Sequence, residues 1–236
     1  MKILIIATSH TQLGDTGRKT GVWLEELAIP YYIFKEAGAV LTLASPQGGE
    51  IPLDPKSESI LASTPTIRRF QKDLEAISDC SHSIQLHTLK AVDFDMVYVT
   101  GGYGALWDFA DNSNLKELLQ DFDRQHKILG LVSHGVAALL GLQNAVGEDF
   151  VKGRNLTAYS DSEQQVAGLT AVVPFSLESK LVAAGAIYTK GPDYRPYTVT
   201  DNNLICGQNP ISAREVSRGM LTLAKNNRPV APVERY

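Results

Sequence analysis

The sequence is short of cysteine, of charge bias and of long apolar runs, and each shortage closes off a class of protein. Only Cys80 and Cys206 occur, far apart and outside any CxxC or Cys/His ligand spacing, which argues against a disulfide framework and a structural zinc site. With 22 basic and 26 acidic residues the formal charge is -4. No run of like charge marks a surface for nucleic acid or an anionic membrane. No stretch approaches the ~20 apolar residues that span a bilayer. The apolar start, Ile3 to Ala7, turns polar at Thr8-Ser9-His10 and is too short for the core of a secretory signal. A cytoplasmic protein acting on a small molecule or another protein is expected. Repeats, low-complexity blocks and linkers are also missing, so one domain over residues 1–236 is expected, with a polar, proline-bearing tail from about 226.

What is present is enough hydrophobic material, 44% of 236 residues, for a sizeable core. Short apolar runs alternate with helical spacing, the pattern of βαβ units around a parallel sheet. Strands are predicted at Ile3–Ala7, Val40–Ala44, Asp95–Thr100, Ile128–Val132, Leu156–Tyr159, Tyr197–Thr200 and Leu204–Cys206. Trp23, Leu27, Tyr31 and Phe34 predict a first long helix ending near Gly38, with a kink or break at Pro30. Further helices are predicted around Leu115–Phe122 and Ala213–Ala224. Residues 50–66 read as a long surface excursion, and such loops often border sites.

In an open α/β sheet ligands bind beyond the carboxyl ends of the strands. Two turns there stand out. Ile128–Val132 runs into Ser133-His134-Gly135, which resembles a nucleophile elbow, although Leu131 stands where GxSxG would have glycine. Spacing alone leaves Ser133 open between nucleophile and helix cap. The turn Gly101-Gly102-Tyr103-Gly104 follows another central strand, and its backbone N–H groups suit either an oxyanion hole or a tight turn.

The ordered segments Gly21-Val22-Trp23-Leu24-Glu25-Glu26, Leu43-Ala44-Ser45-Pro46-Gln47-Gly48-Gly49, Pro52-Leu53-Asp54-Pro55-Lys56-Ser57, Gly101-Gly102-Tyr103-Gly104-Ala105-Leu106-Trp107-Asp108, Val173-Pro174-Phe175 and Gly207-Gln208-Asn209-Pro210 carry a resemblance. From about residue 2 to about 224 the chain resembles the ThiJ/PfpI superfamily, in its branch of heat-shock chaperone-like glutathione-independent glyoxalases. The resemblance implies a flavodoxin-like α/β fold, a mostly parallel sheet flanked by helices on both faces, and commonly a homodimer. It also implies action on a small reactive carbonyl such as methylglyoxal without metal or cofactor. The implied site combines an elbow cysteine, the histidine after it and a glutamate of the first long helix. Those positions are Ser133, His134 and Glu26. Glu163 is a candidate further acidic partner, although Ser160 three residues ahead favours a capping box as its role. Backbone at Gly102 and His134 would donate to an oxyanion, and Tyr103, Trp107 and Tyr194 are candidate pocket walls.

The departures fall at the site. Where the family usually reads Cys-His-Gly-Pro this chain has Ser133-His134-Gly135-Val136, and Tyr103 replaces a frequent histidine. A thiol can be ionised near neutrality, whereas a serine hydroxyl needs a general base. Glu26 could be that base if it packs within reach; since Glu25 and Glu26 project about 100° apart on a helix, only one of them is expected to face the site. An engineered cysteine-to-serine change, natural loss of catalysis, and a shift to acid–base chemistry all remain open. So do two further functions, an amidase or peptidase-like serine hydrolase and a non-catalytic chaperone or binding protein.

Overall fold

The computed structural model describes residues 1–226, and the expected polar tail lies outside the described residues. Its strands are β1 (Lys2–Ile6), β2 (Val40–Ser45), β3 (Ile84–Gln85), β4 (Met96–Val99), β5 (Ile128–Val132), β6 (Asn155–Leu156), β7 (Ile187–Tyr188), β8 (Thr198–Asp201) and β9 (Leu204–Gly207). The α-helices are α1 (Leu24–Glu36), α2 (Pro65–Phe70), α3 (Leu74–Ser81), α4 (Ala105–Asp108), α5 (Ser113–Arg124), α6 (Asp161–Val166), α7 (Leu177–Ala183) and α8 (Ala213–Asn226).

Seven strands form one sheet in the order β3-β2-β1-β4-β5-β9-β8, parallel except for the β8–β9 hairpin. Counted along the chain, the central run β2-β1-β4-β5-β9 is the 2-1-3-4-5 order of the flavodoxin-like sheet, so the expected fold is present. The predicted strand at 156–159 is reduced to β6, which pairs with β7 in a separate two-stranded sheet beside the edge strand β8. Its later residues run instead into Ser160, the N-cap of α6.

Side-chain alternation in the strands divides the core into two layers. Ile3, Ile5, Met96 and Tyr98 pack toward α1, α2, α3 and α8. Leu4, Ile6, Val97 and Val99 pack on the opposite face with α4, α5, α7 and the short helix Ser133–Leu139. Every strand from β1 to β5 is buried along the stretch nearest its carboxyl end except β3, which lies at the sheet edge.

The expected break at Pro30 is absent, because α1 continues through it as one helix of 13 residues. Proline removes the N–H that would bond to the carbonyl of Glu26, a cost of ~3 kcal/mol in an ordinary helix interior. Here the helix is held from outside: Leu24, Leu27, Ala28, Tyr31 and Phe34 are fully buried against the sheet and its neighbours. Tertiary burial of four turns of apolar surface outweighs the local loss.

Candidate active site

The parallel strands deliver Thr100, at the end of β4, and Ser133, at the end of β5, to one edge of the sheet beside the start of α1. Three glycines let these segments meet at backbone distance. A Cβ on Gly101 would overlap Glu26 Oε2 and approach Ser133 Cβ to 2.8 Å. Gly102 lies at φ +97° with the backbone of Gly21, Val22 and Trp23 packed on it, and a Cβ on Gly135 would overlap the Thr100 carbonyl. Such φ values and approaches are open to glycine alone without strain. The Gly102 N–H has no protein acceptor among the described residues.

Ser133 occupies the left-handed region at φ +56° and is 1% exposed. Non-glycine residues rarely adopt that conformation, and a strand-to-helix turn that forces it is the geometry of a nucleophile elbow. Glu26 reaches the same point from the first turn of α1, fully buried. Its carboxyl lies beside the Ser133 hydroxyl and the Gly101 N–H, yet neither oxygen completes a hydrogen bond. Burial therefore drives its pKa well above the ordinary carboxylate range, with Ser133 and Gly101 opposing that rise only in part. A carboxyl whose pKa is raised in this way holds its proton to higher pH than an exposed one and, once ionised, is the stronger base.

His134 is buried, its ring tilted against those of Tyr103 at 4.6 Å and Tyr159 at 4.2 Å. Its Nε2 bonds to Gln164 Oε1 at 3.1 Å. Burial lowers its pKa to about 4, with the Gln164 bond opposing the fall, so the ring is neutral near pH 7. Among the described residues His134 makes no hydrogen bond to Ser133.

Glu163 does not serve as the acidic partner of this histidine. It closes the capping box of α6 with Ser160, and its carboxylate accepts from Tyr194 N, Gln208 Nε2 and Asn209 Nδ2. The side chain that reaches His134 belongs to the next residue, Gln164, turned about 100° around the helix. A neutral amide in that position leaves the imidazole without a counter-charge.

The site opens into a cavity of ≈ 300 Å³. Tyr103, Tyr159, Tyr194 and Leu169 line it, and Lys56 stands in its wall. Trp107 does not line it; its ring stacks on His10 at 5.0 Å. Both Glu25 and Glu26 face the cavity, contrary to the expectation that only one would, because the cavity wraps around the first turn of α1. Cys206 is fully buried, its thiol pushed up to about 12 by burial, and belongs to the core. Among the described residues no group of three or more His, Cys, Asp or Glu could hold a metal ion, and no helix is long and apolar enough to cross a membrane.

The two shifted groups give a prediction with opposite signs. An unfolded histidine with pKa ~6.5 takes up its proton before folded His134 does, so stability falls as pH drops from 6.5 toward 4, by up to about 3 kcal/mol at ~1.4 kcal/mol per pKa unit. Glu26 works the other way: unfolded it loses its proton near 4.5, folded it keeps it to higher pH, so stability falls as pH rises above 4.5. Urea denaturation of wild type and His134→Phe at pH 4.5 and 6.5 separates them. The variant should lose the acid-side loss of stability; an unchanged pH slope would count against a neutral, buried His134.

The comparisons with known proteins agree with this architecture. The glutathione-independent glyoxalase hsp3101 of Schizosaccharomyces pombe is 27% identical, over 96% of this chain and 97% of its own length. Glyoxalase 3 of Candida albicans is 26% identical, over 96% of this chain and all of its own. Among solved structures, Rapid Encystment Protein 24 kDa of Francisella tularensis has a TM-score of 0.90 at 33% identity, covering 94% of this chain and 98% of that one. Glyoxalase III of Candida albicans has a TM-score of 0.88 at 23% identity over 94% and 97% of the two chains, a likeness of fold. The DJ-1/PfpI family pattern extends through residues 19–223, and the chain belongs to that family.

Proposed function

We propose that this protein is a glyoxalase-type enzyme that converts small 2-oxoaldehydes to 2-hydroxyacids by acid–base chemistry centred on Glu26. The observation that carries the reading is the Glu26 carboxyl, buried beside Ser133 in the cavity wall with neither oxygen hydrogen-bonded. A buried carboxyl costs free energy until a ligand completes its hydrogen bonds. A hydrated 2-oxoaldehyde has the hydroxyls to do so. Ionised Glu26 removes the proton from the hydrated aldehyde carbon, giving an ene-triolate in which that carbon keeps both hydroxyls of the hydrate, and returns the proton to the adjacent carbon. The aldehyde carbon is thereby oxidised to a carboxyl and its neighbour reduced to an alcohol, so water of hydration is the only other reactant. Ser133 orients the hydrate, and the Gly102 N–H, without a protein acceptor among the described residues, stabilises the developing ene-triolate oxygen.

The names of the glyoxalase relatives support this substrate class. The serine-hydrolase alternative lacks its base, since the imidazole that would deprotonate Ser133 is bonded to Gln164 and packed against two tyrosines. The test is proton NMR of methylglyoxal incubated with the protein without glutathione or metal. Lactate should accumulate with enzyme concentration, and a rate no faster than the buffer blank would sink the proposal.

A further inference from the structure

The segment Pro52-Leu53-Asp54-Pro55-Lys56-Ser57 takes no part in that chemistry, yet it is built with unusual care for a loop. Asp54 is only 4% exposed. Its Oδ2 accepts from Thr20 Oγ1 at 2.8 Å and its Oδ1 from the Lys56 N–H at 2.9 Å. Its carbonyl accepts from both Ser57 N and Ser57 Oγ. Its own N–H donates to the Val22 carbonyl, and Val22 N donates back to Pro52 O. The turn is thus fastened to the residues that lead directly into α1, and so to Glu26. An aspartate that bonds the backbone two residues on is a rigid way to present the next side chain. What it presents is Lys56, exposed and in the wall of the cavity.

Lys56 is the cavity's single cationic side chain, and no acid pairs with it among the described residues. We propose that Lys56 is an anion anchor at the cavity mouth, fixed there by the Asp54 turn, and that small carboxylates of the 2-hydroxyacid class bind against it. The choice of ligand rests on the glyoxalase reading, in which a neutral substrate becomes a carboxylate on a floor with no cation of its own. Negative charge created beside Glu26 is drawn outward toward Lys56. Glu25 is a second acid in the wall, beside Glu26, and opposes this; burial raises its pKa while Arg214 lowers it.

The experiment is a calorimetric titration of wild type, Lys56→Met and Lys56→Arg with lactate and with its uncharged analogue lactamide. Lactate should bind at least about tenfold more weakly to Lys56→Met, keep most of its affinity in Lys56→Arg, and weaken with added salt, as a point-charge contact does. Lactamide should bind all three proteins alike. A merely structural lysine would move both ligands together, and that result overturns the anchor, as does saturable lactate binding unaffected by Lys56→Met or no lactate binding at all. Because the readout is binding, its failure is separable from that of the glyoxalase reading: turnover without Lys56-dependent lactate binding sinks the anchor alone, and such binding without turnover leaves the anchor standing.

Discussion

Glu26→Gln is expected to reduce conversion of methylglyoxal by about 10²- to 10⁴-fold, the span that one positioned acid–base group supplies. Glutamine keeps the shape of the side chain and its contact with Gly101 and Ser133 but cannot accept or return a proton. It also removes the ionisation that the buried carboxyl resists. The same variant should therefore be more stable than wild type at alkaline pH and no more stable near pH 4, since folded Glu26 is disfavoured only where its unfolded counterpart is ionised. Loss of activity with that stability pattern assigns the defect to chemistry. Activity within a factor of a few of wild type would remove Glu26 from the mechanism, whatever the stability data show. In wild type the rate should climb with pH toward the elevated Glu26 pKa, because the base is the ionised form.

Ser133→Cys is expected to act in the other direction, raising turnover on the order of 10²-fold by opening a covalent route. The thiolate would add to the aldehyde carbon to give a hemithioacetal, Glu26 would move the proton between carbons, and water would release the hydroxyacid from the resulting thioester. The serine site is prepared for a thiolate in two respects. Glu26, whose burial raises its pKa, can donate to it while protonated, and the positive φ at 133 already turns the side chain outward from β5. Burial alone works against ionisation, as the thiols of Cys80 and Cys206, both pushed up to about 12, illustrate. Iodoacetamide labelling across pH measures the balance: labelling at 133 with an apparent pKa below the ~8.5 of a free thiol supports the donor role of Glu26. Turnover equal to wild type would show that the hydroxyl and thiol do the same non-covalent work.

The sequence made some of this legible and hid the rest for identifiable reasons. The central strands are continuous apolar runs because both faces are covered, so β1, β4 and β5 could be read directly. Helix α3 went unread: Leu74 and Ile77 are exposed, and only Ala76 and Cys80 are buried, which leaves hardly any apolar stripe. Ser133, His134 and Glu26 were legible through ordered motifs spread along the chain. Gln164 was not, because nothing in Asp161-Ser162-Glu163-Gln164 distinguishes the residue that caps the helix from the one that faces the histidine until the helix phase is known. Lys56 was hidden among polar loop residues, since its fastening runs through Thr20 and Val22, more than thirty positions away.

The glycine contacts at the floor of the cavity bear on how such a site can diversify. Gly102 and Gly135 have another segment's main chain where a side chain would begin, and Gly101 has the Glu26 and Ser133 side chains there, so the floor leaves no room for a new side chain. Substitution has almost nothing there to act upon. Variation in what the cavity accepts is open instead to its more exposed lining, at Tyr194, Ile211 and Lys56, away from Glu26 and Ser133.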